Sequence, residues 1–164
     1  MDVAQFNALP SARALETILA AASIPHWAER VVAGRPYVDA AAAIHAATSA
    51  MESWTDADVG AALADHPRIG ERHTGHGASA QLSGSEQAGV DRDDPEIRTR
   101  LAEGNRRYEE RFGRIYLVRA KGRSAHELLA LLEDRLDNDP ETELEVTRGE
   151  LIQIATLRLE ATFE

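Results

Sequence analysis

With no cysteine and six histidines in 164 residues, any chemistry must come from imidazoles, carboxylates, hydroxyls or guanidinium groups. His66 is the most informative of them. It stands where a helical stretch meets a glycine-rich run, and Pro67 stiffens the backbone that aims its ring. Imidazole titrates near neutrality, so His66 can act as a general acid/base; it can equally cap the carbonyls that end the preceding helix. Ser83 and Glu86 have the Ser-x-x-Glu spacing of a capping box, which would start a helix with no further role. Gln87 lies outside that pattern, and a helix start also offers free N–H groups to a carboxylate. Arg158 shares a helical face with Leu151, Ile154, Ala155 and Leu159. A guanidinium there needs an anion, either an internal carboxylate or a substrate carboxylate gripped through both nitrogens. Asn105 is a similar anomaly, set among Leu101, Tyr108, Phe112 and Ile115. His66, His73 and His76 with Glu71 are zinc-type ligands, but their spacing fits no recognisable motif, and no metal site is expected.

Positioning these residues falls to helices. Ala, Leu, Glu and Arg dominate, β-branched residues are sparse, and apolar residues recur every three or four positions. The pattern predicts an all-α protein, a single helical-bundle domain over 1–164 of about eight or nine helices. Helices are expected at about 3–8, at 11–22 with Ser11 as cap, and at 25–33, stopped by Gly34. An Ala-rich segment follows from Asp39 to Trp54. Thr55 and Asp58 form a capping box for a short helix that ends before Pro67. From Pro67 to Leu82, with Gly70, Gly75 and Gly77, no helical period exists, and long loops of this kind are commonly functional or disordered. A long helix is expected from near Pro95 to Lys121, with Gly122 as its stop. Ser124 and Glu127 cap the next, which carries Leu128, Leu129, Leu131, Leu132 and Leu136. After Asn138-Asp139-Pro140 a last helix runs to about Thr162.

Composition narrows the function. The chain has 43% apolar and 28% charged residues, and no apolar run nears the roughly 18 residues of a membrane span. Its net charge of −10 repels phosphate backbones, so neither nucleic acid nor a membrane is an expected partner. No basic region precedes an apolar run near Met1, and Thr162-Phe163-Glu164 is no peroxisomal address, so a cytoplasmic protein is expected.

Five ordered groups of residues carry a resemblance: His66-Pro67-Arg68-Ile69-Gly70; Ser83 with Glu86-Gln87; Asn105, Tyr108 and Phe112-Gly113; Gly122-Arg123-Ser124; and Leu157-Arg158-Leu159. In this order and spacing the chain resembles the 2-oxo-4-hydroxy-4-carboxy-5-ureidoimidazoline (OHCU) decarboxylases of purine (urate) degradation, over about residues 5 to 160. Two departures are visible: Tyr116 stands where Phe is more usual, and the stretch from Glu145 to Gly149 lacks the expected alanines. The resemblance implies a cofactor-free, homodimeric enzyme producing (S)-allantoin. It makes His66 and Glu86 the catalytic pair. Pro67, Ser83, Gln87, the backbone of Leu117, Val118, Arg119 and Ala120, and Arg158 would line the substrate pocket.

The implied chemistry suits these residue types. The substrate carbon that bears hydroxyl and carboxylate adjoins a ring C=N, which accepts the electron pair as carbon dioxide leaves. The protein then has to orient the carboxylate, take or share the hydroxyl proton, and protonate one face of the neighbouring carbon. His66 suits the proton work, and Glu86 can fix its tautomer or hold the hydroxyl. The competing reading is a non-enzymatic helical module that binds a partner along an apolar groove, which would account for the helices and the acidity but needs no internal Arg158.

Overall fold

Short polar side chains fix most of the helix starts. Asp2 accepts the Gln5 amide and opens α1 (Val3–Ala8), and Asp39 accepts the Ala42 amide and opens α4 (Ala40–Ala50). Between them lie α2 (Ser11–Leu19) and α3 (Pro25–Ala33), and a short 3-10 turn, Met51–Ser53, follows α4. Thr55 and Asp58 bond reciprocally, amide to side chain, at the start of α5 (Asp56–Leu63). Asp94 caps α6 (Pro95–Phe112), the Ser124–Glu127 box caps α7 (Ala125–Arg135), and Asp139 accepts two amides of the first turn of α8 (Pro140–Thr162). This computed structural model describes residues 1–64, 66–70, 82, 86 and 94–163. Among them the fold is all-α, with eight α-helices. No helix among the described residues is long and apolar enough to cross a membrane.

Two sequence expectations are corrected. Ser11 does not cap α2: Pro10 takes the extended cap position, its ring having already fixed φ, and Ser11 becomes the first helical residue. That helix also ends at Leu19, short of residue 22. The long helix stops at Phe112 and does not reach Lys121. Gly113 adopts φ +69°, a left-handed conformation that glycine enters without steric cost, and its amide closes back on the Glu109 carbonyl at 2.8 Å. Ile115 therefore lies beyond the helix whose apolar face it was expected to share, and residues 115–120 have no regular structure.

The chain divides into two compact units, Met1–Ala62 with Ile152–Glu164, and Leu63–Leu151. In the first, Trp27 is fully buried and donates its indole N–H to the Ala47 carbonyl, and Phe6 meets Phe163 edge to face at 5.1 Å. In the second, Ile97, Leu101 and Tyr108 of α6 pack with Leu128, Leu129 and Leu132 of α7. Ile69, Tyr116, Val118 and Ala120 belong to the same apolar cluster, so the start of the His66 loop and the irregular strip after Gly113 are fastened to one core.

Candidate active site

His66 lies three residues beyond the end of α5, and its amide donates to the Leu63 carbonyl at 3.1 Å. His66 and Pro67 are both half-buried. The next three residues are pinned. Arg68 presents two nitrogens to the Glu109 carboxylate. Ile69 is buried, and its carbonyl accepts the Asn105 side-chain amide at 3.1 Å. Gly70 has φ +86°, which a Cβ would strain. The Arg68 guanidinium bonded to Glu109 holds that carboxyl below the ordinary carboxylate range. The stability this charge contributes is therefore present above the ordinary carboxylate pKa, and is lost only as pH falls through the lowered value. At neutral pH the anchor is intact.

The strip Leu117 to Ala120 is held at three successive peptide groups. The Leu117 carbonyl accepts from Arg135 at 2.8 Å, the Arg119 amide donates to Glu150 at 2.6 Å, and the Arg119 carbonyl accepts from Arg123 at 3.2 Å. A turn closed by the Arg123 amide on the Ala120 carbonyl ends the strip. Among the described residues, the amide and carbonyl of Val118 and the amide of Ala120 make no such bond.

Behind the strip lies a polar network. Glu143 is fully buried and receives two nitrogens of Arg135 at 2.6 and 2.8 Å, the Tyr108 hydroxyl, and the Asn138 side-chain amide at 2.8 Å. The Arg135 guanidinium also lies 4.8 Å from the Tyr116 ring centre, over its face. Burial is the largest single influence on Arg135 and lowers its basicity, but the hydrogen bond to Glu143 together with the electrostatic effect of Tyr108, Glu143 and Tyr116 raises it overall. Burial pushes the Tyr108 and Tyr116 hydroxyls up, so both stay protonated at neutral pH. The two residues at which the sequence departs from the resemblance have polar partners here. The Tyr116 hydroxyl finds the Leu128 carbonyl at 3.1 Å, and Thr147, within the stretch from Glu145 to Gly149, returns its hydroxyl to the Glu143 carbonyl at 2.9 Å.

Arg158 lies, as expected, on the apolar face of α8 with Leu151, Ile154, Ala155 and Leu159, and is 2% exposed. One nitrogen donates to the Ala20 carbonyl at 3.3 Å. Arg158 belongs to the first unit; His66, Pro67, Glu86 and Leu117 to Ala120 belong to the second. Glu86 is helical and half-buried. Ser83, Gln87, Glu71, His73 and His76 lie outside the described residues. Sequence reasoning missed Arg135, Glu143 and Glu150. The first could have been found, because Arg135 falls seven residues after Leu128 and three after Leu132, on the buried stripe of α7.

Residues 7–160 match a family model described as OHCU decarboxylase. Over 98% of its length the chain is 29% identical to the 2-oxo-4-hydroxy-4-carboxy-5-ureidoimidazoline decarboxylase of Amia calva, and covers 93% of that protein. A stretch of 63 residues, 38% of the chain, is 40% identical to the uric acid degradation bifunctional protein TTL of Arabidopsis thaliana, and spans 19% of that larger protein. The fold is similar to a crystal structure of OHCU decarboxylase in the presence of (S)-allantoin, with a TM-score of 0.75 at 24% identity, over 90% of this chain and 97% of that one. It is also similar to (S)-allantoin synthase, with a TM-score of 0.73 at 16% identity, over 100% of this chain and 54% of that one. Together with the fold, these likenesses define an all-α decarboxylase. The chain belongs to the OHCU decarboxylase family and is a carboxy-lyase, the enzyme among the two readings the sequence allowed.

Proposed function

We propose that His66 and Glu86 carry out the decarboxylation of OHCU to (S)-allantoin, with Pro67, Ser83, Gln87, the Leu117 to Ala120 strip and Arg158 lining the site. The family match over residues 7–160 carries this reading, since it includes every one of these positions. The C–C bond to the carboxylate breaks, its electron pair forms a carbon–carbon double bond inside the ring, and the former C=N nitrogen takes the charge. His66 takes the hydroxyl proton as the carbonyl forms and returns it to one face of the neighbouring carbon, while a proton from water neutralises the ring nitrogen. Glu86 holds the imidazole in the tautomer this needs. The peptide groups of Val118 and Ala120 and the side chain of Gln87 bind ring and ureido groups, and Arg158 grips the carboxylate. The electron sink belongs to the substrate, so the reading includes no cofactor and no metal. It also includes a homodimer and a cytoplasmic location, tested by sedimentation velocity and cell fractionation.

The test is turnover of freshly generated OHCU followed by circular dichroism. Uncatalysed protonation of a planar intermediate strikes both faces and gives a racemate, whereas the enzyme is expected to give a growing signal of one sign, unchanged by EDTA. A racemic product at the uncatalysed rate would reject the reading, and loss of the signal with EDTA and its return with zinc would put a metal at His66, His73 and His76.

Arg158→Lys separates substrate grip from scaffold. A lysine keeps the charge but loses the planar fork, so KM should rise or kcat fall by about tenfold, the loss of one good bidentate contact, with little change in melting temperature. A large fall in melting temperature with normal turnover would return Arg158 to the scaffold.

A further inference from the structure

Asn105 is buried to 3% exposure in the middle of α6, a position where an amide is costly unless it is bonded. Its Nδ2 donates to the carbonyl of Ile69, three residues after His66, and its Oδ1 has no partner among the described residues. One helical turn on, Glu109 receives the guanidinium of Arg68, two residues after His66. The two α6 residues are four apart and so lie on the same face of the helix, where they grip consecutive residues of one loop. Ile69 drives its side chain into the core beside Leu101 and Tyr108 of the same helix. A buried side-chain amide bonded to a single main-chain carbonyl is a poor way to stabilise a helix, since leucine at that place would bury as well without a polar atom to satisfy. What the amide does add is direction. It fixes the rotation of the Ile69 peptide, and with Pro67 already stiffened and Arg68 tied, little freedom remains between α6 and His66.

We infer that Asn105, seconded by Glu109, is a positioning residue that sets the aim of the His66 imidazole. The inference rests on the proposed role of His66 in proton transfer. Asn105 touches no reacting atom in this account; it acts through the loop.

The test uses the full chain with freshly generated substrate, and compares Asn105→Leu, His66→Asn and the double variant, with rates taken per folded molecule below each melting temperature. A residue that acts by aiming His66 should lower kcat by about tenfold or more while KM stays within about twofold, and should change the residual rate of His66→Asn by less than about twofold. Wild-type kcat in folded Asn105→Leu would overturn the inference, as would a full Asn105→Leu loss repeated on top of His66→Asn. If Asn105→Leu does not fold, Glu109→Gln decides, because its site is partly exposed and the neutral amide keeps the shape while weakening the fork. It should lower kcat about two- to fivefold at constant KM, and wild-type kcat would overturn the inference. His66→Asn at full activity would instead reject the catalytic role of His66, whereas an inactive His66→Asn beside a fully active Asn105→Leu rejects the positioning role alone.

Discussion

His66→Asn is expected to lower turnover by about 10² to 10⁴, the range that a positioned general acid/base contributes. Asparagine keeps a polar side chain of similar reach, so any hydrogen bond through one ring nitrogen survives in part, but it cannot accept and return a proton near neutral pH. The fold should be indifferent. His66 is half-buried, its structural bond is the main-chain amide to the Leu63 carbonyl, and the loop beyond it is held by Arg68, Ile69 and Gly70. Rates of chiral product formation and thermal melts on the same preparations check this. Near-normal turnover in a folded variant would reject the assignment. A melting temperature lowered by ten degrees or more would favour the bland alternative, a histidine whose work is to end α5.

What could be read from the sequence was local. The pairs Thr55 with Asp58 and Ser124 with Glu127 predict their helix starts because each cap is satisfied within four residues. Pro140 and the polar residues before it predict the start of α8 for the same reason. Gly113 misled because Ile115 continues the apolar spacing of α6, and periodicity cannot see that a glycine has turned left-handed. Ser11 misled because the proline before it competes for the same role. At the site, Asn105 and Arg158 were visible as polar residues on apolar stripes, but their partners were not. The Asn105 amide and one Arg158 nitrogen bond to main-chain carbonyls, of Ile69 and Ala20, and a carbonyl has no signature in a sequence. Glu143 stayed hidden because it meets Arg135 only across the turn between α7 and α8, and charged residues usually face solvent.

That hidden pair should carry the largest stability effect in the chain. Arg135→Met removes the guanidinium and leaves the Glu143 carboxylate at 0% exposure with only hydroxyl and amide donors around it, a change expected to cost about 3 to 5 kcal/mol. In a chain of this length that corresponds to a fall in melting temperature of roughly 6 to 20 °C. Glu143→Leu leaves the opposite charge stranded and should cost as much. The double variant should recover most of the loss, because no buried charge then lacks a partner; what it cannot recover is the bond to the Leu117 carbonyl, about 1 to 3 kcal/mol, whereas the Tyr108 hydroxyl keeps Thr147 Oγ1 at 3.3 Å. Urea unfolding of the two single variants and the double gives the coupling directly. Additive losses would mean that the two side chains stabilise the fold independently and that the ion pair is incidental. Kinetics on the same proteins add a second reading. Because Arg135 holds the Leu117 carbonyl and so the register of the strip through Ala120, a stable double variant that has lost the guanidinium should bind substrate more weakly, with KM raised and kcat less affected. Wild-type KM in that variant would show that Glu150 and Arg123 fix the strip without Arg135.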